Sequence, residues 1–112
     1  MLEEKILRNV VPAKAMPRLK DMLCGYMSHW SRVYIGATAH PEIRYGQHMN
    51  DGWHKMVLLY EAFSPEIALG MERELIAYAR QTNFLTLVEN INPGGEGLSH
   101  ARRSNYLYLL CG

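Results

Sequence analysis

Ser31-Arg32-Val33-Tyr34-Ile35-Gly36-Ala37 is the stretch on which the fold turns. β-Branched and aromatic residues crowd it and a glycine closes it, so it predicts a strand. Downstream, residues 41–48 predict a helix with Pro41 in its first turn, where the missing N–H costs nothing. Asn50-Asp51-Gly52 is a turn signal. Residues 54–63 predict a second strand, apolar enough to be central. Ser64, Pro65 and Glu66 then supply a helix start: a capping hydroxyl, a proline at the first position and an acid at the positive end of the dipole. Ile67, Leu69, Met71, Leu75, Ile76 and Tyr78 carry that helix to about Gln81. Residues 84–88 fit a short strand or a last helical turn, residues 90–97 a glycine-rich loop, and residues 106–111 a final apolar strand. Upstream, Ala13, Met16, Leu19, Leu23 and Met27 recur at helical spacing. That helix begins at Pro12 or at Pro17. Residues 1–12 open with a helical turn. The expectation is an α+β domain, a small sheet covered by helices. Residues 31–112 are its core and residues 1–30 a helical extension.

The 112 residues suffice for one domain, and 48% of them are hydrophobic, so a core can form. No apolar run approaches the ~18 residues a membrane helix needs. The charged opening Met1-Leu-Glu-Glu-Lys-Ile-Leu-Arg8 lacks the apolar stretch of a secretory signal. An intracellular protein, cytoplasmic or nuclear, is expected. Cys24 and Cys111 match no zinc spacing and read as reduced, partly buried thiols, with a disulfide left open. Net charge is +1, a weak footprint for a nucleic-acid binder. Yet eight of the twelve basic residues are arginine, which grips phosphate with two parallel hydrogen bonds where lysine cannot. No P-loop lysine motif, His-x-x-x-His or Cys-x-x-Cys is present.

Tyr34-Ile35-Gly36, Thr38 two residues on, Arg44 eight after the glycine and His48 four after that form a spaced set. It resembles the second half of the GIY-YIG nuclease motif. Ala68-Leu-Gly-Met-Glu72-Arg-Glu-Leu-Ile76 is similar to the family's glutamate-bearing helix, with Met71 in a leucine position. Glu72 matches better than Glu74 because it stands four before Ile76. Asn90-Ile-Asn-Pro-Gly94-Gly95-Glu-Gly97 resembles the asparagine and glycine loop that many members carry. The family's GIY strand normally precedes YIG by ten to fifteen residues; here that region reads as helix end and turn. Asn105-Tyr106-Leu107-Tyr108-Leu109-Leu110 looks like it instead. The resemblance therefore implies a circular permutation, with Tyr108 taking the place of the GIY tyrosine; the alternative is a degenerate Gly25-Tyr26, with Tyr26 in that role. It covers residues 32–110 and implies a three-stranded antiparallel or mixed sheet flanked by helices.

The resemblance also implies a chemistry: metal-dependent hydrolysis of phosphodiester bonds in DNA. Such hydrolysis needs an activated water, an in-line leaving group and neutralised phosphoryl charge. Tyr34 is the implied general base, Arg44 the transition-state stabiliser, and Glu72 the ligand of Mg²⁺ or Mn²⁺. One carboxylate suffices, because Mg²⁺ keeps most of its water. A free tyrosine has a pKa near ~10, and an adjacent cation favours its phenolate. Arg44 and His48 lie one turn apart on a helix and share a face. His48 would position Tyr34 or shuttle its proton, and Tyr108 would complete the cluster. Tyr106 and Tyr108 share a strand face. Arg32, Thr38, Lys55, Asn90, Arg102 and Arg103 are candidates for contact with nucleic acid, mostly its phosphates. Taken singly, each residue has a plainer reading: a sheet aromatic, a solvated helix charge, a turn residue. The joint spacing outweighs those readings. The rival of another class is an inactive module of the same fold that binds nucleic acid or protein. Branched DNA or RNA is an alternative substrate, and a homodimer or partner protein a source of specificity.

Overall fold

A computed structural model of the chain describes residues 1–82, 85–89 and 104–112. In chain order the elements are β1 (Leu2–Leu7), α1 (Pro12–Met27), β2 (Arg32–Thr38), α2 (Pro41–Asn50), β3 (Lys55–Ala62), α3 (Pro65–Gln81), β4 (Leu87–Val88) and β5 (Asn105–Cys111). The class is α+β, as expected. The sheet is larger than the expected three strands: the described residues form five, in the order β1-β3-β5-β2-β4. The two extra strands lie at its edges. β1 pairs parallel to β3, and β4 pairs parallel to β2.

The opening segment is a strand rather than a helical turn. Six residues are too few to hold a helix without tertiary support, whereas the side of β3 satisfies their backbone directly. Asn9 then takes a left-handed conformation, φ 57°, which asparagine tolerates, and the chain swings into α1. That helix starts at Pro12, and Pro17 falls inside it. Pro17 and Ala13, whose carbonyl the proline cannot serve, both lie on the exposed side. At α3 the expected start is observed: the Ser64 hydroxyl accepts from the Ile67 N–H at 3.1 Å.

β5 lies between β2 and β3 and runs antiparallel to both. Its burial explains its composition. A strand covered on both faces reads as a nearly continuous apolar run, and Leu107, Tyr108, Leu109, Leu110 and Cys111 are all buried. Helices α1 and α3 cover one face of the sheet, where Leu19, Leu23, Leu75 and Ile76 meet Val33, Ile35, Leu107 and Leu109. Helix α2 covers the other, where Tyr45 and Met49 pack around Met56, Leu58, Tyr108 and Leu110. Both cysteines are free thiols. Among the described residues no helix is long and apolar enough to cross a membrane.

Candidate active site

The candidate site sits on the α2 face of the sheet. In β2, Tyr34 and Gly36 point to that face, and β5 places Leu110 opposite Tyr34 and Tyr108 opposite Gly36. The glycine is required there by space. A Cβ built on Gly36 would lie 2.4 Å from the Tyr108 ring and its hydroxyl. The phenol therefore crosses β2 through the gap where a side chain is missing.

Helix α2 brings Arg44 and His48 over the same spot. His48 Nε2 is 2.9 Å from the Tyr108 hydroxyl. The Tyr34 ring lies 6.0 Å from His48 and 6.5 Å from Tyr108, centre to centre. Arg44 donates from Nη1 to Gln47 Oε1 at 3.0 Å, and its positive charge acts on the Tyr108 hydroxyl. Four of the expected site residues thus converge: Tyr34, Arg44, His48 and Tyr108.

Glu72 arrives from the opposite layer. Helix α3 covers the other face, and Glu72 lies among its buried residues with no exposed surface. Its charge nevertheless acts on the Tyr108 hydroxyl. That hydroxyl is held well above the ordinary phenol range, first by burial, then by the charges of Tyr34 and Glu72, against the opposing pull of Arg44. Tyr108 is therefore a neutral phenol at physiological pH and serves as a hydrogen-bonding group, not a base. His48 is pushed the other way. Burial, then the neighbouring Arg44 charge, lowers it below the usual histidine value, so the ring is neutral at pH 7.

Among the described residues no group of three or more His, Cys, Asp or Glu side chains gathers as a metal cage. A single carboxylate such as Glu72 holds a hard cation only where water and substrate complete the shell. Because Glu72 is fully enclosed, a hydrated ion reaches it only when neighbouring side chains give way.

The expected nucleic-acid contacts fare differently. Arg32 shares the Tyr34 face at the start of β2. Its guanidinium lies 4.0 Å from the centre of the Trp53 ring, and it donates to Glu89 and the Gly52 carbonyl. Thr38 is fully buried, and its hydroxyl accepts from the His40 N–H at 3.0 Å, so it is closed to a phosphate. Lys55 is not beside Tyr34. Its register partner Cys111 faces the α1 layer, and Lys55 does too, pairing with Glu3 at 3.3 Å. Tyr26, the alternative to Tyr108, also belongs to that layer and donates to Glu3 at 2.8 Å. Asn90, Arg102 and Arg103 lie outside the described residues.

Two neighbours were not legible in the sequence. Trp53 packs against Tyr34 at 6.4 Å from a turn, where no periodicity predicts which way it points. Glu61 lies on the α2 face and accepts from Tyr106 at 3.1 Å and Ser104 at 3.0 Å. Strict alternation from Leu58 would have put it on the other face, but the register shifts between Leu58 and Tyr60. An extra residue there reverses the parity of all that follows.

Comparison with protein-family models, with curated proteins and with solved structures gives no match.

Proposed function

We propose that the chain is a divalent-metal-dependent endonuclease acting on DNA, with a GIY-YIG-like site completed by its C-terminal strand. The observation that carries this reading is the meeting of Tyr108 with His48 and Arg44 beside Tyr34. Residues scattered over 75 positions of sequence, placed by three separate elements, share one side of the sheet. A cation at Glu72, Mg²⁺ or Mn²⁺, would supply Lewis acidity and neutralise phosphoryl charge once the side chains enclosing that carboxylate open toward Tyr108. Arg44 binds the scissile phosphate and stabilises the charge that grows on its oxygens. Tyr34 takes the proton of the attacking water as the new oxygen–phosphorus bond forms and the leaving oxygen departs. Neutral His48 holds the Tyr108 phenol, and Gln47 holds the Arg44 guanidinium. Specificity would come from a homodimer or a partner protein, and branched DNA or RNA is to be tested beside duplex DNA.

The test is cleavage of supercoiled plasmid and labelled branched duplexes, with Mg²⁺, with Mn²⁺ and with chelator. Metal-dependent nicking should appear and should fall at least a hundredfold in Arg44→Ala, Glu72→Ala and Tyr34→Phe, on the scale of losing a transition-state contact. Nicking that survives in all three variants sinks the reading. A second reading, a nucleic-acid-binding module without turnover, is favoured by the complete enclosure of Glu72. Binding without cleavage under every metal condition would select it.

A further inference from the structure

We infer that the chain carries a second nucleic-acid site, a pocket on the α1 face that takes an unpaired base and its adjoining phosphate from single-stranded DNA. The pocket has a volume of about 370 Å³ and lies between the C-terminal half of α1 and strands β1 and β3. Tyr26, Trp30, Lys5 and Lys55 line it, with His29 at its rim. Rings and ammonium groups alternate. Lys5 stands 5.4 Å from the Tyr26 ring centre, and Lys55 stands between Tyr26 at 5.8 Å and Trp30 at 6.0 Å.

The arrangement is held ready by one carboxylate. Glu3 accepts from the Tyr26 hydroxyl at 2.8 Å and pairs with Lys55 at 3.3 Å and Lys5 at 3.6 Å. Two ammonium groups against one carboxylate leave a positive excess. Side chains already fixed lose little freedom when a ligand arrives, so more of the contact energy appears as affinity. An aromatic face beside a cation is the combination that single strands use: the base stacks and the phosphate pairs. An acidic peptide would satisfy the lysines and leave both ring faces unused.

The pocket is also joined to the candidate site. Trp30 stacks on His54 at 6.0 Å and 27°. The preceding residue, Trp53, lies against Tyr34 at 6.4 Å with the Arg32 guanidinium over its ring. Consecutive residues of one turn thus face the two sides of the sheet, and together they make an aromatic track around its end. A single strand leaving the Tyr34 face can follow that track, with Arg32 and Lys55 beside its phosphates. Lys55 would then meet a phosphate on the α1 face and not beside Tyr34.

The test is anisotropy of a labelled oligothymidylate about a dozen nucleotides long, in chelator so that cleavage plays no part, with the full chain. Wild type should bind, with affinity falling steeply as salt rises. Trp30→Ala should weaken binding about tenfold or more, the scale of one stacked base, while Trp30→Phe should retain most of it. The Lys5→Gln, Lys55→Gln pair should flatten the salt dependence. Thermal melts check that each variant is folded, and Trp30→Phe with the lysine pair decides the matter if Trp30→Ala is not. Unchanged affinity in the folded variants overturns the inference, as does equal competition by polyglutamate of the same length. The outcome is independent of catalysis: Trp30-dependent binding without metal-dependent nicking removes the nuclease and leaves this site standing, and the reverse removes this site alone.

Discussion

One absent methyl group gives Tyr108 its place. Gly36→Ala would put a carbon 2.4 Å from the phenol, far inside van der Waals contact, so the ring must move away from His48. The expected cost is about 1–3 kcal/mol, as for other overpacked cores. Urea denaturation measures it; an unchanged midpoint would show that the ring has room to spare. His48 gives a second prediction at this scale. Its pKa is lowered in the folded chain, so the unfolded chain binds more protons just below the ordinary histidine value. Stability from this group is fully present above about pH 6.5 and is lost as pH falls from there through the lowered folded value. Denaturation between pH 7 and pH 5 should therefore show a decline that is shallower in His48→Gln. Parallel pH profiles for the two chains would remove the assignment. At this scale the sequence was informative where spacing along a regular element sets direction. Arg44 and His48 are one helical turn apart and do face the same spot. It was silent where direction depends on tertiary pairing, as for Trp53, or on an irregularity, as for Glu61.

Among the elements, β5 does most to hold the molecule together. It bonds to a strand on each side and is covered by a helix layer on each face. Among the described residues, β1 and β4 bond on one side only. Amide hydrogen exchange should follow that order. Amides of Leu107 to Leu110 should open only with global unfolding, while those of Leu2–Leu7 should exchange through local fraying. Equal protection in β1 and β5 would mean that the edge strand folds as one unit with the centre. The apolar run of residues 106–111 made β5 legible as a buried strand. β1 was not legible, because Leu2-Glu3-Glu4-Lys5-Ile6-Leu7 carries three charges and too short a pattern. Only the open side of β3 makes it a strand. The helices fared better: α1 and α3 have long apolar stripes, α2 has Pro41 in its first turn, and α3 also has its cap, proline and acid in sequence.

At the scale of the whole molecule, the unusual feature is a central strand contributed from the far end of the chain. Among the described residues, four strands run parallel to one another and β5 alone runs against them. The sequence suggested this arrangement by the likeness of residues 105–110 to a first strand, but no local rule says that a last strand will insert between the second and third. That insertion is a property of the assembled sheet, and it can be tested by changing connectivity alone. The Met1 ammonium lies 3.0 Å from the His54 carbonyl, and the His54 N–H is 3.0 Å from the Cys111 carbonyl. Both ends of the chain therefore meet at one residue. A short Gly-Ser linker from Gly112 to Met1 spans that gap without strain. Opening the same chain between Gly95 and Glu96, in the stretch that the sequence marks as a glycine-rich loop, makes β5 the first strand. Rejoining and reopening leaves the layers of the described residues intact, and the added loop costs little entropy. The permuted chain should fold cooperatively with a melting temperature within a few degrees of the parent, and should keep its His48–Tyr108 contact and any nicking activity. A permutant that is soluble but unfolded would show that β5 needs its present order in the chain to find its place, and the account of it as an independently insertable central strand would fail.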